Sequence, residues 1–110
     1  MSMVESDWKT FRRLRETALE RFCQRVLEES GRLCADETRG AHERYQALLQ
    51  LIKRRDRAMA DAFDNPRRSN ADFQLVSMVE LDLITDDELA TFSDDLQAYV
   101  NHLVSFRRGD

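Results

Sequence analysis

Two opposite charges fall within apolar helical stripes of this sequence, and they are the first candidates for a site. At about 100° per residue, Arg15 lies among Phe11, Ala18 and Phe22, and Asp56 lies in a similar stripe further along the chain. If the two segments form an antiparallel hairpin, Arg15 and Asp56 come within about one turn of each other, and we expect them to pair. Such a pair fixes helix register. The alternative is an ionisable pair that binds a ligand or serves a small enzyme.

The densest group of positive charges is the second candidate. Its members are Lys53, Arg54, Arg55, Arg57, Arg67 and Arg68. One interpretation is a solvated helix face whose cations suit the C-terminal half of a helix. The other is a surface for an acidic or phosphorylated partner, in which Arg67 and Arg68 act with the free N–H groups that begin the next helix.

Positive and negative charges are concentrated in different segments of the chain. Residues 41–68 hold seven Lys/Arg against four Asp/Glu, whereas residues 69–110 hold two against nine, within a net charge of −4. Much of the acidic excess belongs to helix starts, where carboxylates are favoured. The net charge and the acidic start of residues 86–88 both disfavour nucleic acid as a partner. An acidic protein partner is compatible with the basic region.

The residue types that most often hold metals or act as nucleophiles are isolated. His42 and His102 have no companion ligands at metal-binding spacing. Cys23 lies beside Phe22 and Val26, where a thiol is typically an apolar filler. The sequence has no glycine-rich phosphate loop and no serine elbow. It therefore predicts no catalytic residue, metal or cofactor, and we expect the protein not to be an enzyme.

Composition and periodicity predict an all-α protein. Gly and Pro number only three and one among 110 residues, whereas helix formers are abundant. We predict a single domain over residues 1–110, a four-helix up-down bundle-like fold. Its helices are expected at residues 7–34, 41–64, 70–81 and 86–106. The first is taken as continuous, although Gly31 also permits a kink.

The segment from Asp82 to Ser93 carries the clearest local signals. Thr85 and Glu88 are spaced as the N-cap and third helical residue of a capping box. Asp82 stands where a left-handed residue would end the third helix, so we predict positive φ there. Ser93 followed by two Asp is typical of a new helix start, which leaves open a break in the fourth helix.

The length of the first helix indicates self-association. Unbroken, it is about 40 Å long, whereas a compact domain of this size has a radius of gyration of about 13 Å. We expect its N-terminal end to project and to present Trp8 and Phe11 as the face of a homodimer.

The start of the chain lacks the features of a signal peptide, and no apolar run approaches the length of a membrane span. Cys23 and Cys34 lie about three turns apart in one helix, too far for a disulfide. We therefore expect a cytoplasmic interaction or accessory module that self-associates. The alternative is an anion- or nucleic-acid-binding protein that uses the basic region.

Overall fold

The fold is all-α, as the sequence predicts. The computed structural model describes residues 2–109, and within that range the chain forms helices and no strand. The helices are α1 (Glu5–Cys34), α2 (Ala41–Phe63), α3 (Ala71–Glu80), α4 (Asp86–Leu89) and α5 (Asp94–Arg108). Of the helices described, none combines the length and the apolar content that crossing a bilayer requires.

α1 and α2 form a long antiparallel hairpin. α1 continues through Gly31 without a break, which confirms the predicted continuous helix. In the turn, the Asp36 carboxylate accepts hydrogen bonds from the N–H and the hydroxyl of Thr38. Arg44, in the first turn of α2, donates to the Cys34 carbonyl at 2.6 Å. The last residue of α1 is thus tied directly to the start of α2.

The core lies at the open end of this hairpin, where α3, α4 and α5 cover it. Up to Phe63, the residues that contribute to the core all fall within 3–26 or 58–63. α3 contacts α1, α2 and α5. The largest fully buried apolar side chains are Phe11, Leu75, Val76, Met78, Leu83 and Val100. The apolar stripes at the open end of the hairpin are therefore buried within the fold.

The predicted dimer face at the start of α1 is wrong for this reason. Phe11 is 0% exposed, and the half-buried Trp8 stacks on it with ring centroids 5.8 Å apart. Met3, just before α1, is also buried, and its N–H donates to the Arg68 carbonyl at 3.0 Å. This end of α1 does not project, because its apolar stripe is buried in the core together with residues of α3 and α5.

The turn end of the hairpin projects instead. Residues 27–57 contribute nothing to the main core cluster, and the described chain measures 51 × 29 × 23 Å. Its radius of gyration is 16.4 Å, against about 13 Å for a compact domain of this size. Helix length alone predicts a projection, but not which end of the hairpin the remaining helices cover.

The link between α3 and α4 adopts the predicted local structure. Asp82 has φ of 57°, and the N–H of Leu83 donates to the Met78 carbonyl at 2.9 Å, which ends α3. Thr85 and Glu88 form the capping box. The predicted single helix over 86–106 is wrong, however, because α4 ends after one turn and α5 begins with Ser93 as its N-cap.

α1 holds this link in place with two arginines. Arg21 donates to both carboxylate oxygens of Glu88, at 2.6 and 2.9 Å, and to the Leu83 carbonyl at 2.8 Å. Arg25 donates to the carbonyls of Leu81 and Asp82. The bonds from Arg21, together with those from Thr85, lower the pKa of Glu88 to about 2. The short α4 is thereby fixed to the side of α1.

Candidate interaction surface of the projecting hairpin

The projecting end of the hairpin exposes several large apolar side chains. Leu27 and Tyr45 are each 67% exposed, Leu49 is 44% exposed and Ile52 is 37% exposed. Scattered single apolar side chains are normal on protein surfaces, but contiguous groups mark interaction sites. The question is therefore whether these four share a face.

The helical spacing places them together. Tyr45, Leu49 and Ile52 follow the i, i+4, i+7 pattern of one helix face. Leu27 and Ile52 line a common groove of ≈ 190 Å³ across the two helices. The groove continues along α1 to Cys23. We call this surface the apolar face, defined by Cys23, Leu27, Tyr45, Leu49, Ile52 and Met59.

The two edges of the apolar face carry opposite charge. At 100° per residue, Glu20 and Glu28 fall along the outer edge of α1, and Lys53 and Arg57 fall along the outer edge of α2. All four side chains are exposed. The face thus has a centre that is apolar except for Asp56, an acidic edge and a basic edge.

Between the helices, one ion pair marks the register of the hairpin. Arg55 donates to the Glu29 carboxylate at 2.7 Å, and both side chains are about one-third exposed. An ion pair as exposed as this one contributes at most about 1 kcal/mol, so it does not determine the packing of the two helices. It shows which residues of α1 lie opposite which residues of α2.

That register explains why the predicted pair of Arg15 and Asp56 is not formed. Arg15 lies about four turns before Glu29 on α1, so it faces the end of α2 rather than its middle. Its guanidinium donates to the Phe63 carbonyl at 2.7 Å and lies 5.7 Å from the Phe63 ring centroid. Asp56 is exposed and lines the groove of the apolar face.

In the structure, the cations of the predicted basic region lie apart from one another. Arg55 pairs with Glu29, and Arg68 pairs with Glu5. Arg67 is exposed in the turn between α2 and α3, where its own N–H donates to Asn70 at 2.8 Å. Of the rest, Lys53 and Arg57 lie along the edge of the apolar face, and Arg54 points to the other side of α2. The six cations do not form one surface.

A cavity of ≈ 580 Å³ lies on the side of the hairpin opposite the apolar face. We call it the arginine cleft. Its lining consists of Glu29, Arg32, Leu33, Arg39, Ala47, Gln50, Leu51 and Arg54. Sequence reasoning missed it because its three arginines come from α1, the turn and α2, and only the folded hairpin brings them together.

The charges around the cleft are unevenly balanced. Arg39 lies 3.7 Å from Asp36 and 3.9 Å from Glu43. Hydrogen bonds from Thr38 lower the pKa of Asp36, so this carboxylate stays ionised beside Arg39. In the described part of the chain, no ion pair within 4.0 Å involves Arg32 or Arg54.

The residues considered for metal or nucleophilic chemistry are separate in the structure. His42 is exposed at the start of α2, and His102 is exposed on α5. Cys23 is half-buried on the apolar face, and Cys34 is exposed at the end of α1. Across residues 2–109, no group of three His, Cys, Asp or Glu side chains could hold a metal ion.

Comparison of the chain with models of protein families, with curated proteins and with solved structures gives no match.

Proposed function

We propose that this protein is a non-catalytic interaction module that forms a homodimer through the apolar face. The observation that carries the proposal is the exposure of Leu27, Tyr45, Leu49 and Ile52 on one face of a hairpin that projects from the core. Burying such side chains is favourable by about 25 cal/mol per Å² of apolar surface. A partner surface that covers them is therefore stabilising.

The charges at the edges favour a second copy as the partner. A two-fold axis along the hairpin stacks α1 of one copy on α2 of the other, so that Glu28 approaches Lys53 and Arg57 across the interface. A two-fold axis across the hairpin would instead place each acidic edge against the same acidic edge, which is unfavourable. The first arrangement gives a four-helix assembly with both turns at the same end.

The size of the face is that of a weak dimer interface. α2, with 23 residues, is about 35 Å long, and two helices side by side are about 20 Å wide. The apolar face takes up residues 45–59 of α2, about 21 Å of this length, so it covers roughly 420 Å², about half of the ~800 Å² per partner of a standard interface. No further partner is required to bury it.

The free cysteines support a cytoplasmic location as part of the proposal. Cys23 and Cys34 are both unpaired thiols, and one of them is exposed. Thiols persist in the reduced state in the cytosol, whereas oxidising compartments favour disulfides.

Sedimentation velocity tests the proposal. The chain has a mass of 12.9 kDa, and we expect the wild type to sediment with twice that mass at about 100 µM, well above the micromolar affinities typical of modest interfaces. Leu49→Glu places a charge in the centre of the apolar face and should give the monomer.

Phe106→Glu is the matched control, since Phe106 is 74% exposed on α5 and lies outside the apolar face. It should leave the dimer intact. A monomeric wild type at this concentration would contradict the proposal, and so would a Leu49→Glu variant that remains dimeric.

A further inference from the structure

We propose that the arginine cleft binds a small molecule that carries a diphosphate or a similar multiply charged phosphate group. This proposal does not rest on the dimer, because the cleft lies on the opposite side of the hairpin from the apolar face. Its volume of ≈ 580 Å³ falls within the ~300–1,000 Å³ range of small-molecule sites.

The lining carries the chemistry that phosphate recognition requires. Arg32, Arg39 and Arg54 surround one cavity, and the guanidinium fork matches two phosphate oxygens at once. Three like charges around a cavity repel one another unless an anion lies between them. An anionic ligand removes that repulsion and replaces it with attraction.

The arginines are also available to a ligand. Arg32 and Arg54 form none of the ion pairs found among residues 2–109. The contacts of Arg39 with Asp36 and Glu43 are 3.7 and 3.9 Å long, beyond hydrogen-bond length. Such exposed, long contacts are weak, so a phosphate at hydrogen-bond distance can displace them.

The single carboxylate of the lining does not oppose the ligand. Glu29 accepts a hydrogen bond from Arg55 at 2.7 Å, so its charge is locally compensated. The Gln50 amide is a further donor. Leu33 and Leu51 provide an apolar wall against which the non-phosphate part of a ligand can lie.

The size and the surroundings of the cleft favour a small ligand over nucleic acid. The net charge of the chain is −4, and Asp36 and Glu43 border the cleft at Arg39. An extended phosphate backbone would be repelled by these carboxylates and by the overall charge, whereas a single group inside the cleft meets mainly the arginines.

NMR titration of the full chain with inorganic pyrophosphate tests the proposal. At about 150 mM NaCl, where long-range attraction is screened, we expect saturable shifts in amides of residues 29–33, 39 and 47–54. Arg32→Gln/Arg54→Gln should weaken binding at least about tenfold, which corresponds to about 1.4 kcal/mol. Arg54→Gln alone should weaken it by a smaller factor.

Arg12→Gln/Arg13→Gln is the matched control, because it removes the same charge from exposed positions at the other end of α1. It should bind pyrophosphate as the wild type does. An Ile52→Glu variant, which disrupts the apolar face at a residue away from Arg39 and Gln50, should also bind normally, which separates this proposal from the dimer. Titration with an organic diphosphate in place of pyrophosphate shows whether the apolar wall adds affinity.

Two results would overturn the proposal. One is the absence of any saturable shift with pyrophosphate at concentrations up to about 10 mM. A specific site of this kind should bind pyrophosphate more tightly than that. The other is an equal loss of binding in the two double variants, which would indicate attraction by overall charge and not by the cleft.

Discussion

Asp7 in the first turn of α1 caps Ser93 at the start of α5, across 86 residues of sequence. One carboxylate oxygen of Asp7 accepts the N–H of Ser93 at 2.8 Å, and the other accepts its hydroxyl at 2.6 Å. Asp7 is only 5% exposed. The Ser93 oxygen in turn accepts the N–H of Leu96. The start of α5 is thus hydrogen-bonded from both sides, which explains why the chain breaks between α4 and α5.

The Asp7→Ala variant should unfold more easily than the wild type. It removes the carboxylate that accepts the Ser93 N–H and hydroxyl, and the loss of a cap or a charged hydrogen bond costs about 1–3 kcal/mol. Urea unfolding followed by circular dichroism measures the change. Glu16→Ala, which removes an exposed carboxylate from the same helix, is the control and should change stability by less than about 0.5 kcal/mol. Equal stability of the two variants would show that the cap is not important.

The Glu88 carboxylate makes stability depend on pH. Its pKa falls from an ordinary 4.5 to about 2 in the folded protein, mainly through the Arg21 hydrogen bonds. A lowered folded pKa adds stability above pH 4.5, and this contribution disappears as the pH falls from 4.5 to about 2.

Glu88→Gln should therefore be less stable than the wild type at pH 7, by about 2 kcal/mol for the lost charged bonds. The difference should narrow as the pH is lowered through this window. Urea denaturation between pH 7 and pH 2 measures it, with the exposed neighbour Asp87→Asn as the control. A difference that stays constant with pH would count against the assigned role of Glu88.

Local signals of the chain were sufficient to predict the link between α3 and α4. The capping box at Thr85 and the left-handed residue Asp82 depend on neighbours within a few positions, so the sequence contains everything that determines them. The break at Ser93 is different. Its N–H and hydroxyl are bonded by Asp7 from the far end of the chain, and no local pattern shows that contact.

Asp82→Gly should stabilise the protein by about 0.5–1 kcal/mol. Asp82 adopts φ of 57°, which glycine tolerates without steric cost. Arg25 bonds to the carbonyl of Asp82, so the substitution keeps that contact. Asn65→Gly, at φ of 47°, should gain less, because Asn is among the residues best suited to this region. Thermal unfolding compares the two, and a lower melting temperature for Asp82→Gly would contradict the prediction.

Phe11→Ala should destabilise the fold by about 3–5 kcal/mol, because Phe11 is 0% exposed within the core. Tyr45→Ala, at a side chain that is 67% exposed, should leave the monomer fold nearly unchanged. Chemical denaturation distinguishes the two. A mild effect of Phe11→Ala would mean that the start of α1 is free to meet a partner, as the sequence alone suggests.

The candidate surfaces show the limit of sequence reasoning more clearly than the fold does. Helical periodicity identifies Arg15 and Asp56 as charges within apolar stripes, but the register of the hairpin, in which Glu29 lies opposite Arg55, places them at different levels. The arginine cleft likewise depends on how α1, the turn and α2 meet. Register and packing partners are set by the whole core, so they cannot be read from one helix at a time.

The orientation of the two copies provides the most direct test of the dimer. A nitroxide label on Arg13→Cys, in a chain that also carries Cys23→Ala and Cys34→Ser, marks the open end of the hairpin. If the two-fold axis runs along the hairpin, helix axes about 10 Å apart place the two labels within about 30 Å of each other. If it runs across the projecting end, the labels lie about 60 Å apart, since residue 13 is about 30 Å along α1 from that end.

Pulsed dipolar spectroscopy of this labelled chain measures the distance between the two labels and so distinguishes the two orientations. We expect a distance distribution centred below about 30 Å, lost when Leu49→Glu is added. The absence of any dipolar interaction, or a distribution near 60 Å, would contradict the pairing of α1 with α2 of a second copy across the apolar face.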